Sequence, residues 1–236
     1  MLDKGQFELG SGNDIAVTSL AIRRAEIIGT CELVESQLTA LQLDQTTFRR
    51  FADAVGRSPE TAATHFPQSV ATWYAQSVLI RLRRIGDRDK NSHSLHALLT
   101  RMKSTPGDWT LQAIVDLRDD GKHLHGPETL RSLAKSTYHF VSDASNTHLN
   151  IDRIIADIQR LDESLQTVKH LVDRTVAHVD RRGANDLMMT FEDIGSAIDK
   201  CEKIALPYIS LLTGRSYDTL MPVDRTEWWK IFDGLK

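Results

Sequence analysis

The segment Asp173 to Arg182, DRTVAHVDRR, gathers the side chains of this chain best suited to moving a proton beside a negative charge. On a helix turning about 100° per residue, His170, Arg174, His178 and Arg181 share one stripe, nearly opposite Val168, Val172 and Val179. Arg174 and His178 are four apart, so their side chains can meet. Imidazole takes up and releases a proton near neutral pH, and guanidinium keeps its charge throughout. Together they suit cleavage of an RNA phosphodiester without a metal, with His170, Arg181 and Arg182 as further contacts to RNA. The same stripe has a plain structural reading. A helix C-terminus carries partial negative charge, and basic residues on a solvated face suit it.

A second arginine–histidine pair stands at Arg88-Asp-Lys-Asn-Ser-His93, and Arg118 has comparable spacing to His123 and His125. With nine histidines in the chain, about two such matches are expected by chance. Arg88 and His93 are the better of them because they follow a long helical pattern. Lys122-His-Leu-His125 offers two imidazoles in a loop, but metal binding there needs ligands from elsewhere. His93 and His96 lie near Asp87 and Asp89 without completing a His-Glu-x-x-His motif. Arg81, Arg83, Arg84, Arg88 and Lys90 form the densest basic run, diluted by Asp87 and Asp89, and an ion-paired surface is its simplest reading. There is no glycine-rich phosphate loop and no Gly-x-Ser-x-Gly elbow. The expectation is no metal and no cofactor.

Helices must position these groups. Residues 128–182 contain neither glycine nor proline, the two residues that interrupt helices most. Within them Ile151, Ile154, Ile158, Leu161, Leu165, Val168, Val172, Thr175 and Val179 step by three and four, which is one helical face. After Gly183 the signal returns as Leu187, Phe191, Ile194, Ile198, Cys201, Ala205, Tyr208 and Leu212, with Pro207 as a kink. Two long helices joined by a short turn pack antiparallel. Asp14 caps another helix with a face of Leu20, Ile27, Cys31, Val34, Leu38 and Leu41. A fourth begins after Pro67 and ends near Gly86, with Val70, Trp73, Ser77 and Ile80 on one side and Tyr74, Val78, Leu82 and Ile85 beside them. The pattern predicts an all-α, up-and-down helical bundle with a small helical insertion at about 89–146. The bundle spans 14–220, after a mobile tail at 1–13. A short helix at 221–236 opens with a capping box, Asp224 to Glu227, and carries Trp228, Trp229, Ile231 and Phe232.

Composition narrows the function classes. The chain has 236 residues, 29 basic against 32 acidic, so no global positive field recruits nucleic acid and only a local patch can. Its two cysteines, Cys31 and Cys201, rule out a disulfide framework. No apolar stretch reaches the roughly 18 residues of a membrane span. The opening MLDKGQFELGSGND has no signal-peptide core, so the expectation is a cytoplasmic protein without membrane attachment.

The helical length, the segment IRLRRIGDRDKNSHSLHALLTRM (Ile80 to Met102) and the AHVD of Ala177 to Asp180 resemble the HEPN superfamily, in its abortive-infection branch of U type. That resemblance covers roughly 14–214. It implies a helical bundle, a homodimer, RNA as the target and a role in phage defence, with an antitoxin as a candidate partner. It also implies a metal-independent endoribonuclease motif, an arginine and a histidine separated by four to six residues in a cleft between protomers. By the resemblance His178 takes the histidine's place. Arg174 has three residues between it and His178, so the motif is degenerate. Either Arg174 serves from the same stripe, or the chain keeps the bundle as a non-catalytic helical dimer or interaction protein. Arg88 and His93 are the alternative catalytic pair.

Overall fold

The computed structural model describes residues 12–119, 126–143, 145, 147–173, 189–215 and 217–221, with 12–18 and 127 through their backbone alone. The expected site residues Arg174, His178, Arg181 and Arg182 lie outside the described residues, as do His123, His125 and the C-terminal Asp224, Glu227, Trp228, Trp229, Ile231 and Phe232.

The described residues contain the helices the periodicity predicts, with one short addition, α2, between the first two. Helix α1 runs Gly12–Gly56, α2 Pro59–Ala62, α3 Phe66–Ile85, α4 Leu95–Ser104, α5 Leu111–Arg118, α6 Pro127–Tyr138, α7 Ile151–Leu171 and α8 Phe191–Thr213. Local chemistry explains the boundaries. Ser94 Oγ accepts from the Ala97 N–H at 2.9 Å and opens α4. Asn150 Oδ1 does the same for the Arg153 N–H at 3.0 Å and opens α7. Thr190 and Asp193 form a reciprocal capping box on α8, satisfying N–H groups that the helix itself leaves open. Gly214, at φ 72°, ends α8 in the left-handed conformation that favours glycine. Asp14 does not cap α1, because the helix already begins at Gly12.

The packing is antiparallel around the bundle. Asp157, early in α7, receives a 2.7 Å hydrogen bond from Tyr208 Oη, late in α8, while Leu171 and Phe191 border one groove at the other end. Arg81 of α3 pairs with Asp44 of α1 at 2.7 Å, and Tyr74 stacks on Phe48 with ring centroids 4.1 Å apart. Helix α4 packs between α1 and α7, and α5 and α6 pack on each other and on α8. The segment expected as an insertion therefore shares the core: Leu98, Met102, Trp109, Ile114 and Tyr138 belong to the same buried cluster as Leu38, Leu82, Leu161 and Ile198.

The faces follow the sequence with instructive exceptions. Ile154, Leu161, Leu165 and Val168 are buried along α7 and Val172 just past its end, as the register requires, whereas Ile151 in the first turn is exposed. On α3 the inward side is Val78, Leu82 and Ile85 with Leu79, whereas Trp73 is 64% exposed. Residues 66–80 contain no Asp, Glu, Lys or Arg, so the pattern had no charge to mark the outer face.

Val172 is 6% exposed, and an arginine placed there would bury its charge. Val172→Arg is expected to lower stability by roughly 3 kcal/mol or more, read by chemical denaturation. Tyr208→Phe removes one donor from buried Asp157 and should cost about 1–3 kcal/mol. A denaturation midpoint unchanged from wild type would contradict either expectation.

Candidate functional site

A groove of about 530 Å³ runs between the end of α3 and the last turns of α7. Its closeness depends on Gly86: a Cβ there would stand 2.6 Å from Leu165 Cδ1 and 3.2 Å from Lys169 Cε. The charged residues lining the groove are Arg83, Asp87, Arg88, Asp162, Glu163, Lys169 and Asp173, with His170 beside them. Three of these charges are positive and four negative.

The cations are paired. Asp162 bridges two of them, accepting from Arg88 Nη2 on one oxygen and from Lys169 Nζ on the other, both at 2.8 Å. Burial pushes the Asp162 carboxyl up, but the hydrogen bonds and charges of Lys169 and Arg88 outweigh it and hold the group below its ordinary value. Arg83 Nε lies 3.4 Å from Asp173 Oδ1. Arg81, Arg83 and Arg88 of the basic run thus each meet a carboxylate, the ion-paired surface their sequence suggested. His96, on α4, feels the charge of Asp162. Burial draws its imidazole below the ordinary value, while Asp162 pulls the other way.

The residues expected to act together take separate partners. Arg88 turns to α7 through Asp162. His93 turns to α1, with Nδ1 3.2 Å from Thr30 Oγ1. Thr30 gives its single hydroxyl proton to the Glu26 carbonyl at 2.9 Å and accepts from Arg101 Nη1 at 2.9 Å. His93 therefore meets it as an Nδ1–H donor, which leaves Nε2 as the acceptor in the neutral ring. His170 is exposed at the groove, in the last turn of α7. Arg118 serves another purpose: it is buried, and its Nη2 donates to the carbonyls of Ser210 and Leu211 at the end of α8, each at 2.9 Å. Sequence reasoning missed Asp162 and Lys169. Their spacing of seven, two helical turns, places them on one face of α7 but names no partner across the groove.

Among the described residues no three His, Cys, Asp or Glu side chains are grouped to hold a metal ion, and no helix is long and apolar enough to cross a membrane. Cys31 and Cys201 are both buried, and burial pushes each thiol up to about 12, away from nucleophilic use.

The profile of the HEPN family AbiU2 matches residues 32–230. The chain belongs to this family. No curated protein and no solved structure matches it. Membership accords with the abortive-infection resemblance of the sequence and with the all-α bundle. The matched span holds the groove, the Arg88 and His93 pair and the segment with Arg174 and His178. It begins inside α1, at Glu32, next to buried Cys31.

A carboxylate held below its ordinary value stabilises the fold while it stays ionised. The Asp162 contribution is whole above the ordinary value of 3.8 and is lost as pH falls through the depressed value. In Asp162→Asn this part of the acid dependence should be missing. Urea unfolding between about pH 2 and 6 checks it, and identical pH slopes for the two proteins would refute it.

Proposed function

We propose that this AbiU2-family chain is an RNA-directed protein of phage defence that cleaves RNA without a divalent metal. The observation that carries the reading is the family match over 32–230. His178 takes a proton from the attacking 2′-hydroxyl or gives one to the leaving oxygen, and Arg174 offsets the charge that builds on the phosphate. His170, Arg181 and Arg182 hold the strand, and Arg88 with His93 is the alternative pair. Support for placing RNA at this end of α7 comes from the groove itself, where Arg83, Arg88, Lys169 and His170 gather. The protein works as a cytoplasmic homodimer, so that two copies of the stripe form one cleft, and an antitoxin is the partner class that would restrain it.

A second reading has its own observation. The groove carries four carboxylates against three cations, so its described part is no basic cleft. By this reading the chain is a non-catalytic helical dimer or interaction protein.

Cleavage of a labelled single-stranded RNA separates the two. Under the first reading His178→Ala and Arg174→Ala each abolish cleavage with no appreciable loss of melting temperature, and a chelator leaves wild-type cleavage intact. Activity that survives both substitutions moves the chemistry to Arg88 and His93, and absence of any wild-type cleavage favours the second reading. Sedimentation should give twice the 26.6 kDa of one chain at micromolar concentration. A monomer there would count against the shared cleft.

A further inference from the structure

Arg88 and His93 leave the same loop between α3 and α4, yet they are fastened to helices on either side of α4. Arg88 is held on Asp162 of α7 at 2.8 Å, and His93 on Thr30 of α1 at 3.2 Å. The two attachments differ in kind. Thr30 is buried and is held from three directions, by Glu26, Arg101 and His93. The Arg88 side chain is 66% exposed and reaches Asp162 through Nη2 alone. An exposed pair of this kind is individually weak and screened by salt. Asp162 does not depend on it, because its other oxygen keeps Lys169, whose side chain is 17% exposed.

We propose that Asp162 is a latch that holds Arg88 on α7 and apart from His93, and that a phosphate of RNA opens it by taking the carboxylate's place on the guanidinium. The inference rests on the reading of the chain as RNA-directed. The chemistry of the exchange is direct. A guanidinium binds phosphate and carboxylate with the same planar fork of donors, so one oxyanion replaces another without loss of hydrogen bonds on Arg88. Lys169 remains on Asp162, so opening strands no buried charge. Asp162 stays ionised at neutral pH, its carboxyl lying below the ordinary range, and the latch therefore answers to a competing anion rather than to protons. Once released, Arg88 offers its donors to the groove that also holds Arg83 and His170, and His93 remains in place on Thr30 with Nε2 as its acceptor.

The test measures binding of a fluorescent single-stranded oligoribonucleotide by anisotropy, using the full chain at low salt. Asp162→Asn keeps the shape of the side chain and removes the charge that holds Arg88. Glu163→Gln removes the same charge one residue along, from an exposed side chain that also lines the groove. Asp162→Asn should bind roughly tenfold tighter than wild type, well beyond the gain from Glu163→Gln, and the excess should vanish in Asp162→Asn with Arg88→Ala. Equal gains from Asp162→Asn and Glu163→Gln would reduce the effect to general electrostatics and overturn the latch. So would a gain that survives loss of Arg88, or no binding by any variant whose melt shows it folded. Failure of the ribonuclease reading is seen separately, in the response of cleavage to His178→Ala, which leaves this binding comparison standing.

Discussion

Helix α8 buries a broad face, leaving Glu192, Ser196, Lys200 and Lys203 outward, and the bundle is what it takes to cover that face. Ile194, Ile198, Cys201, Ile204, Ala205, Tyr208, Ile209, Leu211 and Leu212 are buried along it, an apolar face wide enough to meet several helices at once. Helices α1, α3, α5, α6 and α7 pack against it. Gly195 leaves room for α1: an added Cβ would collide with the Gln45 side chain.

The buried polar side chains Glu202 and Tyr208 of this face are each answered from another element. Glu202 accepts from Gln42 of α1 at 2.6 Å, from the Thr219 hydroxyl at 2.7 Å and from the Leu220 backbone N–H. Asp157 accepts from Tyr208 and from Arg160. Arg118 meets the last carbonyls of α8, where the partial negative charge of the helix end favours a cation. These bonds are expensive to break, because removing one partner leaves the other dry and unpaired. They pin the register of α8 against α1, α5 and α7.

The groove beside α7 is built on the opposite principle. Its ion pairs sit at the surface, share carboxylates and can exchange partners at small cost. Asp162 joins the loop after α3 to α7, and Lys169 gives it a second partner on its own helix. Rigid packing beneath and interchangeable charge above is an arrangement in which a polyanion can compete without disturbing the core.

The all-α class, most of the inward register of α7 and α8 though not their first residues Ile151 and Phe191, and the ion-paired nature of the basic run were legible in the sequence. Apolar residues at steps of three and four define a helical face whatever it packs against, and Asp87 and Asp89 stand among the arginines they temper. In the uncharged stretch of α3 the pattern set Trp73 on one side and Val78 and Leu82 beside it, and packing against α1, α7 and α8 buried Val78 and Leu82 and left Trp73 out. Spacing also could not tell that Arg88 turns to Asp162, 74 residues away, and His93 to Thr30, 63 away. Periodicity specifies the direction of a side chain around its own axis. Which charge it finds there depends on how helices distant in sequence are brought together, and only the tertiary structure decides that.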